Sequence, residues 1–132
     1  MEIPFRLLPG RAEAVARPLV DVHVAGIERT GLACLVDTGA LRNRFGQWIA
    51  DIADLDLRSC EVETFALGGH LTTGRTVDVD LRLGDYHWRA PVSFCDPWPW
   101  DFQLLGQEGF LRYFDVCVSA AALRLDVTPA SE

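Results

Sequence analysis

Alternation of apolar and polar residues with a period of two is the feature that most restricts the fold of this chain. The segment "LVDVHVAG", residues 19–26, places valines on one face and Asp21 and His23 on the other, as in a half-buried strand that ends at a glycine. After a short turn, "LACLV" predicts a second strand that is apolar on both faces. The two segments predict a β-hairpin, and Asp37 is the first residue after it.

A second hairpin is predicted where "CEVETFAL" and "HLTTGRTVDVDLRL" flank the adjacent Gly68 and Gly69, because paired glycines allow the positive φ angles of a tight turn. Short helices are predicted in "GQWIADIADLDL" and "QEGFLRYF". The other predicted strands are "HWRAPVSF", "DVCVS" and "LRLDV", and the apolar segment "QLLG" precedes the second helix. The fold class is therefore mainly β: a small closed or partly closed β-barrel with one or two short helices.

Length and charge limit the number of domains and the class of partner. A chain of 132 residues has the usual size of one domain. The net charge of −7, with 12 basic residues scattered among 19 acidic ones, disfavours binding to phosphates. The N-terminus has no apolar core of signal-peptide length, and no apolar run approaches a membrane span. We expect a cytoplasmic protein that contacts protein, peptide or a small molecule, with no nucleic acid and no membrane partner.

The spacing of cysteine and histidine residues does not suggest a metal site. The four cysteines never come within metal-finger spacing of one another, and the three histidines stand alone. We expect free thiols, no metal ligands and no cofactor.

The stretch "CLVDTGALRNRF" ends a buried strand on Asp37, Thr38 and Gly39. One interpretation is a turn, in which the Asp and Thr side chains bind turn amides and Gly39 supplies a positive φ. The other is a catalytic carboxylate. The small Ala40 follows the triplet, and a later apolar-apolar-Gly segment, residues 104–106, runs into a predicted short helix.

"LVDTGA", then "LGG", then "LLGQEGFLRYFDV", in that order, resemble the motifs of the retropepsin-like aspartic proteases, which have one lobe per chain and act as dimers. The resemblance covers residues 18–127, which we take as the protease domain. Residues 1–17 are then a lead-in without an obvious partner strand, and residues 128–132 a C-terminal tail. The resemblance implies a barrel of the acid-protease type.

The resemblance implies an aspartic endopeptidase, a hydrolase in which two carboxylates that share a proton activate water. The chain has one Asp-Thr-Gly triplet, so the site requires a homodimer in which Asp37 of each copy meets at the two-fold axis. Thr38, Gly39 and Ala40 would support the active-site loop. Leu104, Leu105 and Gly106 would lie beneath it.

The resemblance also assigns the substrate-binding elements. The segment Leu67, Gly68, Gly69 and His70 would be the flap that closes over a peptide or protein substrate, with an ordinary hairpin tip as the alternative. Trp98, Trp100 and Phe102 would form an apolar substrate pocket. The alternative is that these three rings pack a dimer interface or brace a surface loop.

The chain departs from the family where retroviral members carry a charged network, because those positions are Leu41, Arg42 and Gln107 here. Arg42 and Arg44 line the groove in one interpretation and are solvated surface charges in the other. The loss of the network keeps a second function open, a catalytically silent dimeric binding or scaffold domain of the same fold. A third interpretation is a monomeric β-barrel that binds a small ligand.

Overall fold

The computed structural model describes residues 1–10 and 15–131, and in these two segments the chain is mainly β with two short helices. The helices are α1 (Gln47–Ile52) and a π-helix (Gln107–Leu111). The strands are β1 (Glu2–Pro4), β2 (Arg6–Leu7), β3 (Ala16–Arg17), β4 (Leu19–Val24), β5 (Leu32–Val36), β6 (Asn43–Gly46), β7 (Val62–Leu67), β8 (His70–Leu83), β9 (Tyr86–Asp96), β10 (Gln103–Leu105), β11 (Phe114–Ser119) and β12 (Arg124–Pro129).

Six of these strands close into a barrel in the order β4, β5, β10, β6, β9, β8, and β8 pairs back onto β4. Closure leaves no open edge in the ring, so the short strands satisfy one another's backbone groups. The prediction of a small, mainly β barrel with one or two short helices is confirmed. The strand β7 lies outside the ring and pairs with β8.

The alternation in the sequence corresponds to the two faces of the barrel wall. In β4 the valines are buried, while Asp21 is exposed and binds Arg6. The barrel interior is filled by large side chains, among them the fully buried Phe45, Phe94 and Leu105. A barrel whose interior is packed with side chains leaves no room for a ligand inside it, which disfavours the small-ligand interpretation.

The terminal strands form a separate three-stranded sheet in the order β1, β12, β11. Residues Glu2 to Pro4 pair with Arg124 to Asp126, so the expectation that the lead-in has no partner strand is wrong for these residues. The rings of Trp88, Phe110 and Phe114 pack edge-to-face or stacked, with centroids 4.8–6.1 Å apart, and join this sheet to the barrel. The division at residues 17 and 128 stays a prediction, and residues 11–14 and 132 lie outside the described part of the chain.

Candidate functional site

The loop of residues 37–40 begins where β5 leaves the barrel, and backbone groups fix its shape. The amide of Asp37 donates to the carbonyl of Leu105 at 2.9 Å, and the amide of Ala40 donates to the carbonyl of Asp37 at 3.2 Å. The amide of Gly39 donates to Oδ1 of the Asp37 side chain at 2.9 Å. Within the described residues, Oδ2 accepts no hydrogen bond, so the loop orients the carboxylate and leaves one oxygen available.

The turn interpretation of this loop holds in part. The Asp37 side chain does bind a turn amide, as that interpretation expects. Gly39, however, does not adopt the positive φ that Gly68 and Gly69 adopt. A Cβ atom at position 39 would lie 3.3 Å from Oδ1 of Asp37. The glycine therefore leaves space for the carboxylate and is not required by backbone conformation.

The predicted supporting segment, Leu104, Leu105 and Gly106, lies directly beside this loop. The strand β10 is inserted between β5 and β6, parallel to the first and antiparallel to the second. At Gly106 a Cβ atom would lie 2.7 Å from the carbonyl oxygen of Ala40 and nearer still to that of Arg42. Only glycine allows this close approach of backbone to backbone.

Three side-chain amides that the sequence reasoning did not single out in these roles hold the same region together. Oδ1 of the buried Asn43 accepts from the amide of Gly106 at 2.9 Å. Oε1 of the buried Gln103 accepts from the amide of Gly46 at 2.8 Å. Nε2 of Gln107, the residue that replaces a basic family residue, donates to the carbonyl of Thr38 at 2.8 Å. No sequence signal marked Asn43 and Gln103, because an isolated polar residue in a strand looks the same whether it is buried or solvated.

The segment Leu67, Gly68, Gly69 and His70 is the turn of the β7–β8 hairpin, as the paired glycines predicted. Gly68 and Gly69 have φ angles of 57° and 81°. A Cβ atom on Gly68 would lie 2.6 Å from Cζ2 of Trp100, while nothing lies within 4 Å of one on Gly69. Of the two glycines, Gly68 is therefore the one that packs on Trp100.

The aromatic loop that follows β9 forms a cluster of its own. Trp98 and Trp100 meet edge-to-face at 5.1 Å, and Trp100 stacks on Phe102 at 5.6 Å. Nε1 of Trp98 donates to the carbonyl of Phe102 at 3.1 Å. Phe102 is only 4% exposed, so it lies behind Trp100, while the two tryptophans remain partly exposed. The exposed Trp48 of α1 extends this group of aromatic side chains, because the rings of Trp48 and Trp98 both lie close to Gly46.

Arg42 and Arg44 do not fit the interpretation of the basic stretch as freely solvated surface charges, and their role in a groove stays a prediction. Nη2 of Arg44 lies 3.3 Å from Oε1 of Glu63, and Nε of Arg42 lies 3.9 Å from Oε2 of the same residue. Glu63 belongs to β7, so both arginines form ion pairs with the β7–β8 hairpin of the same chain. Leu41, between Ala40 and these arginines, is exposed.

Two cavities formed by the described residues lie away from Asp37. A cavity of about 730 Å³ opens beside α1 and is lined by Gln47, Asp51, Asp54, Leu55, Asp56, Leu57, Arg58 and Arg75. Another, of about 200 Å³, lies between α1 and Trp98. Asp37 lines neither of them. In residues 1–10 and 15–131, no three His, Cys, Asp or Glu side chains are grouped so as to hold a metal ion, and no helix has the length and hydropathy to span a membrane.

Comparison with known proteins identifies the fold. No protein-family model matches the chain, and no curated protein matches it. Among solved structures, it is similar to the crystal structure of a retropepsin-like aspartic protease from Rickettsia conorii, with a TM-score of 0.63 and 15% sequence identity over 97% of each chain. The chain therefore has the fold of a retropepsin-like aspartic protease.

Proposed function

We propose that this protein is an aspartic endopeptidase that acts as a homodimer, with Asp37 of each copy as the catalytic residue. The observation that carries the proposal is the orientation of this side chain. A backbone amide holds Oδ1, and Oδ2 accepts no hydrogen bond from the described residues. A carboxylate held in this way is ready to bind a water molecule, and the fold supports the assignment.

The chemistry requires two such groups. One ionised carboxylate takes a proton from water, whose oxygen attacks the peptide carbonyl, while one protonated carboxyl donates its proton to the carbonyl oxygen. The tetrahedral gem-diol then collapses: the carboxyl that took the proton from water gives it to the amide nitrogen, the C–N bond breaks, and the other carboxylate takes back a proton from a gem-diol hydroxyl. Each chain contributes one Asp-Thr-Gly triplet, so the second carboxyl comes from a second copy.

The residues around Asp37 have distinct roles in this proposal. Thr38 is exposed, and in the described part of the chain its hydroxyl has no partner, so it is available to bond across the two-fold axis. Gly39 and Ala40 keep the loop narrow. Leu105 and Gly106 fix it from beneath through the hydrogen bonds and close contacts of β10.

Substrate would lie between the loop and the β7–β8 hairpin, which acts as the flap. Trp98 and Trp100 are partly exposed and would contact apolar side chains of a peptide or protein substrate, with Phe102 supporting Trp100 from behind. Free cysteines at positions 34, 60, 95 and 117 suit a reducing compartment, so the proposal includes a cytoplasmic location.

A statine-type transition-state analogue tests the proposal. We expect the protein to sediment as a dimer and to bind one analogue per two chains, because one dyad serves both copies. The variant Asp37→Asn should remain a dimer and lose most of this affinity. A protein that stays monomeric at micromolar concentration would contradict the proposal, since one chain has no dyad.

A catalytically silent dimeric scaffold of the same fold is the second candidate. The hydrogen bond from Gly39 to Asp37 favours it in part, because an aspartate that only shapes a turn makes the same bond. The two candidates differ in their response to the analogue. If the protein is a scaffold, the wild type and the Asp37→Asn variant should both dimerise, and neither should bind the analogue.

A further inference from the structure

The strand β7 is the least supported element of the hairpin that we propose as the flap. It lies outside the barrel ring, and β8 is its strand partner. Its residues alternate in exposure: Glu63, Phe65 and Leu67 are partly buried, while the residues between them are exposed. Side chains on the partly buried face therefore decide how firmly this strand is held against the barrel.

Arg44 contacts that face from β6, the strand that follows the Asp37 loop. Its Nη2 donates to Oε1 of Glu63 at 3.3 Å, and its Nη1 donates to Oγ of Ser93 at 3.4 Å. Its guanidinium carbon lies 3.7 Å from the ring centroid of Phe65. A planar guanidinium stacks on an aromatic face and donates hydrogen bonds from its edge at the same time, which lysine cannot do.

The Arg44 pair is the stronger of the two contacts to Glu63. The Arg44 side chain is 13% exposed, against 32% for Arg42, and the Arg42 pair is longer, at 3.9 Å. Exposed, long ion pairs contribute little, whereas a largely buried cation that loses its partner is left without compensation. Glu63 itself is 42% exposed, so solvent weakens the pair without removing it.

The arm β8 is held by its pairing with β9 from Thr73 onward, and two further contacts hold the end of the hairpin near the turn. Oγ1 of Thr72 donates to the carbonyl of Pro97 at 2.7 Å, and Gly68 packs on Trp100. Both join the hairpin to the aromatic loop and both are uncharged. The contact of Arg44 with Glu63 differs from them because it joins β7 to β6, the strand that follows the Asp37 loop, and involves a largely buried charge.

We propose that Arg44 is a positioning residue that clamps the β7–β8 hairpin to β6 through Glu63 and Phe65. When this clamp breaks, β7 and the turn at residues 67–70 move away from the barrel, while β8 stays paired with β9. The functional part of this inference rests on the proposed function: if the hairpin is the flap of a peptidase, it must open to admit substrate and close to exclude water. The existence of the clamp is a separate, physical matter and is tested without any peptidase assay.

Hydrogen exchange of the full-length protein tests the clamp with a matched pair of variants. Glu63→Gln removes the charge that faces Arg44, and Glu61→Gln removes a charge two residues earlier that has no ion pair within the described residues. We expect Glu63→Gln to raise exchange about fivefold in the amides of residues 62–67 and 70–72, which come before the part of β8 that pairs with β9. Amides of β4 and β5 should not change, and Glu61→Gln should match the wild type.

The dependence of hydrogen exchange on ionic strength distinguishes an ion pair from an uncharged packing contact. Raising the salt concentration should speed hairpin exchange in the wild type and leave Glu63→Gln unaffected, because the screened interaction is already gone. The proposal is overturned if Glu63→Gln exchanges like Glu61→Gln. It is also overturned if exchange rises equally in every strand, which would indicate a general loss of stability.

The same variants separate this inference from the proposed function. If the wild type cleaves peptides, Glu63→Gln should raise KM several-fold while kcat changes less, since the clamp acts on closure over substrate and does not touch the reacting atoms. A wild type that cleaves nothing would count against the peptidase. It would leave the exchange result, and therefore the clamp, standing.

Discussion

The backbone amide of Asp37 donates a hydrogen bond of 2.9 Å to the carbonyl of Leu105, so the candidate carboxylate is positioned by a strand far away in the sequence. The strand β10 reaches it because it is inserted between β5 and β6, which are consecutive along the chain. The orientation of Asp37 therefore depends on tertiary packing as well as on its own turn.

Gly106→Ala should destabilise the protein more than Gly39→Ala. A methyl group at 106 meets the carbonyl oxygens of Ala40 and Arg42, which cannot move aside, so we expect a loss of roughly 2–3 kcal/mol in the free energy of unfolding. A methyl group at 39 meets only the Asp37 carboxylate, at 3.3 Å. Chemical denaturation measures both.

Gly39→Ala should change stability by less than about 1 kcal/mol. It should still lower peptidase activity about tenfold or more, because a small displacement of a reacting group is costly. Equal stability losses in the two variants would contradict the placement of β10.

Asn43→Ala should cost more stability than Gln107→Ala. Asn43 is buried and its Oδ1 serves the amide of Gly106, so truncation leaves that amide unpaired and costs roughly 2–3 kcal/mol. Gln107 is exposed, and water replaces its bond to Thr38 at a cost of about 1 kcal/mol or less. Urea denaturation compares the two, and the reverse order would show that Asn43 does not hold β10 in place.

Gly68→Ala and Gly69→Ala separate backbone strain from the contact with Trp100. Both positions have positive φ, so each substitution costs about 1 kcal/mol from strain alone. Only a methyl group at 68 also meets Trp100, so this variant should lose more stability and change the tryptophan fluorescence spectrum. The spectrum of Gly69→Ala should match that of the wild type. Matching spectra in both variants would mean that the turn does not rest on Trp100.

Thiol alkylation at pH 8 should label Cys117 first and Cys34 and Cys95 last. Cys117 is exposed, whereas burial raises the pKa of the Cys34 thiol and that of the Cys95 thiol. A raised pKa leaves less reactive thiolate at pH 8, and burial also blocks the reagent. Mass spectrometry after iodoacetamide treatment gives the order. Labelling of Cys34 as fast as that of Cys117 in the native protein would contradict the burial of β5.

Sequence patterns predict the elements whose apolar residues alternate or whose turns need glycine. The β4–β5 hairpin, the Gly68–Gly69 turn and the short helix after Phe45 are confirmed. No pattern predicts the strand β6, because it begins with the polar Asn43 and Arg44, and Phe45 is the one large apolar side chain among its four residues. The two polar residues are accommodated by partners elsewhere in the chain, Gly106 for Asn43 and Glu63 for Arg44.

The candidate site was predictable only in its local part. The Asp-Thr-Gly triplet identifies Asp37, and the apolar-apolar-Gly segment is found beside it in the structure. The pairing of Arg42 and Arg44 with Glu63 was not predictable, since it depends on how β6 and the residue before it lie against β7, which the sequence does not specify. These arginines belong to the support of the hairpin.

Cleavage of a diverse peptide library by the wild type, Asp37→Asn and Asp78→Asn tests the central claim most directly. Asp78→Asn is the control, because it makes the same change at an exposed position on β8. We expect the wild type and Asp78→Asn to cleave peptides beside bulky apolar residues, and Asp37→Asn to be slower by about a thousandfold. Cleavage that survives in Asp37→Asn, or a wild type that cleaves no peptide, would contradict the assignment of Asp37 as the catalytic carboxylate.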